Sequence, residues 1–153
     1  DNLESCIAAA EANELSVAVP NDATNYGRAL IVLKDAGLLT LSDYQNAPQE
    51  ENILTTKVTL IKLNASMTYN ALSDVDAALI NGNYAASYGV NPNSAIFYEN
   101  VDLTNRNFVC LIAIRQDDKL NSTYKRIAEV FCSDVTKQVM DTTFKGFFYI
   151  AWE

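Results

Sequence analysis

The residues able to do chemistry are few in this chain: Arg28 behind a run of helix-capping side chains, Asn81 after a short apolar run, the acidic groups Asp74 with Asp76 and Asp117 with Asp118, and Cys6, Cys110 and Cys132. None of the 153 residues is a histidine. A Ser-His-Asp or Cys-His couple, an HExxH zinc site and an imidazole proton shuttle are therefore excluded. The acidic pairs suit acid/base work poorly. Side chains adjacent on a strand point to opposite faces, and an Asp in a turn bonds its own backbone. Enzymes built on carboxylates, Lys or Tyr survive the lack of histidine, but no candidate nucleophile has a partner base, so no catalytic residue is expected. Three cysteines without a CxxC spacing give no zinc ligand set, so neither a metal nor a cofactor is expected. One distant disulfide stays open. Cys6 and Cys132 lie among apolar neighbours and are expected to be small buried hydrophobes.

Eleven Lys and Arg against 19 Asp and Glu leave a net charge of −8. With no basic stripe to offset it, nucleic acid is not an expected partner. Lys34 and Lys62 are isolated in sequence and are expected to be solvated.

Arg28 and Asn81 need elements to position them. Leu15-Ser16-Val17-Ala18-Val19 alternates as a short buried strand and stops at Pro20. A polar turn from Asn21 to Gly27 follows, and from Arg28 the apolar residues Leu30, Ile31, Leu33 and Ala36 take helical spacing until Gly37. This places Arg28 in the first turn of a helix, where the dipole disfavours a cation unless an anion is near. A small-molecule carboxylate held bidentately is one such anion; Asp22 or Asp35 is the other. Asp74-Val75-Asp76 leads into the apolar run Ala77 to Ile80, which reads as a central parallel strand buried on both faces, so Asn81 ends it and either contacts a ligand or caps the next helix.

The remaining elements follow the same pattern. Leu3 to Glu14 is expected to be helical, Lys57 to Leu63 a strand, Met67 to Leu72 one or two helical turns, and Tyr84 to Tyr88 a brief helix. Asp43 to Asn52 reads as an exposed connection. Phe108 to Arg115 has the strongest strand pattern, and Ser122 to Cys132 and Asp134 to Phe144 are helical by period. Ile127, Val130, Phe131, Val135, Val139 and Met140 are expected to face inward. Strands alternating with helices predict an α/β fold with a mainly parallel sheet flanked by helices. A length of 153 residues with 49% apolar content suits one α/β domain over 1–153 with a sizeable core. The first five residues lack the charged start and apolar stretch of a signal peptide, which fits either a cytoplasmic protein or a mature or trimmed segment.

Three blocks carry a resemblance. Val17 to Leu30 with Ala36-Gly37-Leu38-Leu39, then Asp74 to Ala85, then Leu111-Ile112-Ala113-Ile114-Arg115 with Ala151-Trp152, resemble in that order the NlpA-type substrate-binding lipoproteins of methionine ABC transporters. The resemblance implies a type II periplasmic binding protein lobe. The chain would correspond to the second lobe and its C-terminal return segment, with the first lobe largely absent. It also implies a ligand such as L-methionine or a related amino acid or short peptide, an ABC permease in the membrane as partner, and a location in the cell envelope with a lipid anchor on the full-length protein. Cys6 has no apolar run before it and does not match the lipid-bearing Cys. By position, Arg28 matches the residue that grips the ligand carboxylate and Asn81 a polar ligand contact. Cys110 stands where a second Asn is usual, and a thiol is a weak hydrogen-bonding partner. The alternative is a truncated or stand-alone module for ligand sensing or interaction, with a homodimer forming through the surface the other lobe would cover.

Overall fold

Alternating apolar residues make Leu15–Pro20 (β1) the strand around which the first part of the chain assembles, with Val17, Ala18 and Val19 almost completely buried. The computed structural model describes residues 2–101, 109–144 and 146–152. The chain divides into two compact units, Asp1–Asn100 and Val101–Glu153, each considered by itself below.

In the first unit β1 lies between Val58–Leu63 (β4) and Ala77–Ala78 (β5), and both neighbours run parallel to it. The register pairs Leu15 with Val58 and Pro20 with Leu63 on one side, and Val17 with Ala77 on the other. Parallel neighbours need crossovers, and the chain supplies them with helices. Leu3–Glu11 (α1) precedes β1, Ala23–Asp35 (α2) follows it, and Gly82–Ser87 (α3) follows β5. Ala10 of α1 and Tyr26, Ala29, Leu30 and Leu33 of α2 join Val17, Val19 and Val58 in one core. Leu39–Leu41 (β2) and Ile53–Thr56 (β3) form a separate antiparallel pair. This is the mainly parallel α/β architecture expected.

Several boundaries differ. Helix α1 ends at Glu11 rather than Glu14, because Asn13 takes a left-handed φ of 58° that leaves the helix. Helix α2 begins at Ala23, five residues before the expected start, so Arg28 sits in its second turn. The polar cluster that reads as a turn supplies the cap instead: the Asp22 carboxylate accepts from the Asn25 amide at 3.0 Å. Strand β5 is two residues long and half-buried, not a fully buried run. The 43–52 connection is exposed at 43–46 and 50–51, as expected, but Pro48 within it is buried and 47–48 lean on α2.

At their starting ends β1 and β5 are tied by side chains. The Ser16 hydroxyl and amide both donate to Asp76 Oδ2, at 2.6 and 2.8 Å, and hold its carboxyl below the ordinary value of 3.8. A carboxyl depressed in this way contributes stability above its unfolded pKa, and that contribution is lost as pH falls through the lower folded value. We expect Asp76→Asn to lower the urea midpoint at neutral pH and the difference from the natural chain to shrink on acidification below the usual carboxylate range. A difference that persists unchanged into strong acid would assign Asp76 no such role.

The second unit contains Ser122–Phe131 (α4) and Asp134–Thr143 (α5), each within a residue or two of its expected span. Residues 109–115 form no strand, and Phe108 lies outside the described residues. An alternating apolar pattern makes a strand only where a neighbouring strand takes its N–H and C=O groups, and no described residue of 101–153 belongs to one. No described residue of this unit is buried. Ile127, Val130, Phe131, Val135 and Val139 are all exposed, against the inward orientation expected of them. All three cysteines are free; Cys132 and Cys110 are exposed and Cys6 is half-buried, so the buried position expected for Cys132 is not observed.

Candidate functional site

Ligands of parallel α/β sheets bind beyond the carboxyl ends of the strands, where the loops lead into helices. Here two such ends lie side by side, β1 running through Asn21 and Asp22 into α2, and β5 through Leu79 and Ile80 into α3. A hydrogen bond from the Leu79 amide to the Ala18 carbonyl at 2.8 Å prolongs the contact between the two strands past the end of β5.

Asn81 is the residue from which α3 starts, and its carbonyl accepts from the Tyr84 and Ala85 amides, both at 3.0 Å. Its side chain does not cap the helix. Instead Nδ2 donates to Asn25 Oδ1 at 2.8 Å, and Asn25 Nδ2 in turn donates to both carboxylate oxygens of Asp22 at 3.1 and 3.0 Å. These bonds from Asn25 hold the Asp22 carboxyl below its ordinary value, so this relay keeps a fixed direction, with donors pointing from Asn81 toward Asp22. Fixing Nδ2 also fixes the other end of the amide. Asn81 Oδ1 is buried and has no hydrogen-bond partner among the described residues. A buried acceptor left unpaired costs about 1–3 kcal/mol.

Arg28 lies three residues beyond Asn25 and so shares its face of α2. Among the described residues Glu99, 71 residues away in sequence, is an anionic partner of Arg28, in place of the expected Asp22 or Asp35. Nε donates to Oε1 at 3.0 Å and Nη2 makes a short contact with Oε2, so the guanidinium is gripped in the two-pronged geometry it adopts with carboxylates. Both side chains are about a third exposed, at 33% and 29%.

Beneath this face α2 is braced by contacts that the sequence does not announce. Lys62 is exposed, as expected of it, but not isolated: Nζ pairs with Glu50 and lies 4.4 Å from the centre of the Tyr26 ring. The Tyr26 hydroxyl is buried near Lys62, and burial pushes its pKa above the ordinary value while that cation pulls it the other way. Gly27 accepts the close approach of 47–48, and Gln49 Nε2 donates to the Ala23 carbonyl at 3.2 Å.

Of the three residues expected to bind a ligand, Asn81 is bonded to Asn25 of α2, and Arg28 lies one turn beyond Asn25 on that helix. Cys110 belongs to the second unit and is exposed there. Asn25 and Glu99 were not singled out. Asn25 is recognisable in principle, standing three residues after a helix cap and three before Arg28. Glu99 is not, because no local spacing connects it to α2. Among the described residues no group of three or more Cys, Asp or Glu is placed to hold a metal ion. Among the described residues no helix is long and apolar enough to cross a membrane.

Comparison with known proteins bears on this cluster. The sequence model described as NlpA lipoprotein matches residues 10–152. The D-methionine-binding lipoprotein MetQ of Salmonella typhi is 33% identical over 136 residues, which are 85% of this chain and 49% of that protein. The substrate binding protein of a methionine transporter from Streptococcus pneumoniae superposes with a TM-score of 0.76 at 28% identity, covering 86% of this chain and 53% of that one. A nutrient binding protein from Burkholderia cenocepacia, solved bound to methionine, gives a TM-score of 0.73 at 31% identity, covering 86% and 56%. This chain spans about half the length of the curated relatives it matches.

Proposed function

This chain belongs to the NlpA lipoprotein family, and from that premise we propose that it binds L-methionine, or a closely related amino acid or short peptide, as part of the substrate-binding component of an ABC importer at the cell envelope. No bond is made or broken. The Arg28 guanidinium takes the ligand carboxylate. Asn81 Oδ1, the buried acceptor without a partner, takes the ammonium group, and that orphaned oxygen is the observation on which the proposal rests most heavily. Cys110 enters through the resemblance alone. Closure of the family's first lobe over this one would complete the pocket, expel water and present the loaded form to a permease.

Calorimetry with L-methionine, D-methionine, other amino acids and short methionine peptides tests the proposal. Saturable heat confined to methionine and its relatives supports it. Silence from all of them, in the longest natural form of the protein, removes the transport function. A second reading, an interaction module without a transport role, draws support from Leu111, Ile112 and Ile114, which are 77%, 44% and 46% exposed. A homodimer formed through such a surface would double the mass seen in light scattering.

The orphaned oxygen also separates binding from stability. Asn81→Leu removes one hydrogen bond to Asn25, worth about 0.5–1.5 kcal/mol, and relieves an unpaired acceptor costing about 1–3 kcal/mol. The second quantity is the larger. We expect the variant to melt at the same temperature or higher while binding methionine about tenfold more weakly. A variant that loses stability and keeps its affinity would show that Asn81 only links two helices.

A further inference from the structure

The partner of Arg28 is itself a carboxylate, seated in the geometry a ligand carboxylate would adopt. We propose that Glu99 is an internal competitor for the guanidinium, a specificity-determining residue that an incoming carboxylate must displace. For methionine this rests on the function proposed above.

The seat of Glu99 is built by its neighbours. Phe97 packs against the core of the first unit, and the Tyr98 hydroxyl donates to the Pro92 carbonyl. An anchored side chain competes at an effective concentration set by its tether, in the millimolar range or above. Weak or adventitious carboxylates at lower concentration therefore do not occupy Arg28. A ligand that also reaches Asn81 Oδ1 gains a contact that Glu99 cannot make. Exchange of one carboxylate for another keeps the number of charge-assisted bonds constant. Since a third of each side chain is exposed, the bond given up is moderate in strength. The device thus discriminates in favour of zwitterions carrying both groups.

Glu99→Gln keeps the shape and removes the charge. We expect the full chain carrying it to bind L-methionine about three- to tenfold more tightly than the natural chain, with binding of L-methioninamide, which lacks the carboxylate, unchanged. Glu99→Asp, with a shorter reach, should give a smaller gain in the same direction. Weaker or equal methionine binding by Glu99→Gln overturns the proposal; weaker binding of both ligands would make Glu99 the acceptor for the ammonium group instead. If methionine binds neither protein, the proposed function fails by itself and sodium propionate decides the role of Glu99. Followed through the Arg28 Nε–H resonance, propionate should saturate the variant at about three- to tenfold lower concentration. Saturation at the same concentration in both, or no response in either, overturns it. Thermal melting followed by circular dichroism checks that each variant is folded.

Discussion

Arg28→Met is expected to weaken L-methionine binding by about a hundredfold or more. Two hydrogen bonds from a guanidinium to a carboxylate contribute about 1.5–3 kcal/mol each; competition from Glu99 offsets about 0.7–1.4 kcal/mol of this, and a hundredfold change in affinity corresponds to about 2.7 kcal/mol. The substitution also leaves the Glu99 carboxylate without this partner, and that charge then repels the ligand's own. Both effects act in the same direction. Arg28→Lys should fall between, because an ammonium group is a point charge and cannot grip a carboxylate through two parallel bonds. Calorimetry against the natural chain measures the difference. A dissociation constant within threefold of the natural one in Arg28→Met would show that the guanidinium serves only to hold Glu99.

Gly27→Ala is expected to destabilise the first unit, although alanine is the better helix former. Alanine in a helix interior gains up to about 1 kcal/mol over glycine. Against this, a Cβ at position 27 would lie 2.8 Å from the Pro48 carbonyl oxygen and 2.9 Å from the Ala47 Cβ. The first is backbone, and Pro48 is fully buried, so relief requires moving the whole 47–48 segment. Overpacking of this kind costs about 1–3 kcal/mol. The clash wins, with a net loss of about 1–2 kcal/mol visible as a lower urea midpoint. Methionine binding should weaken in parallel, since Arg28 follows Gly27 directly on α2, the helix whose Tyr26 ring faces Lys62. An unchanged or higher midpoint would mean that 47–48 moves aside freely and braces nothing.

Helix α2 shows why local patterns misplace an element. Asn21 to Gly27 has the composition of a turn, and Gly27 reads as a breaker. Asp22 caps the helix, while Tyr26 and Gly27 occupy its buried face, a role for glycine that depends on Pro48 arriving from 21 residues away. The 109–115 segment errs in the opposite direction. Its apolar residues suffice for a strand pattern, but pairing is a relation between two segments, and periodicity describes only one. The amphipathic periods of α4 and α5 likewise predict the helices correctly and say nothing of what covers Ile127, Val135 or Val139, which are exposed.

The amino-acid sequence by itself determined the class of this protein: β1, α2, β4 and α3 are legible in period and caps, the absence of histidine removes most catalytic chemistry, and three blocks carry the family. That Arg28 lies on a helix and Asn81 after a strand was legible too, because both are local facts. Tertiary structure alone decided their partners. Glu99 reaches Arg28 from 71 residues away, and the Asn81 amide turns toward Asn25, 56 residues distant, rather than capping its own helix. Secondary structure follows from neighbours along the chain, whereas the charge balance of a site follows from residues that only the folded path brings within a hydrogen bond.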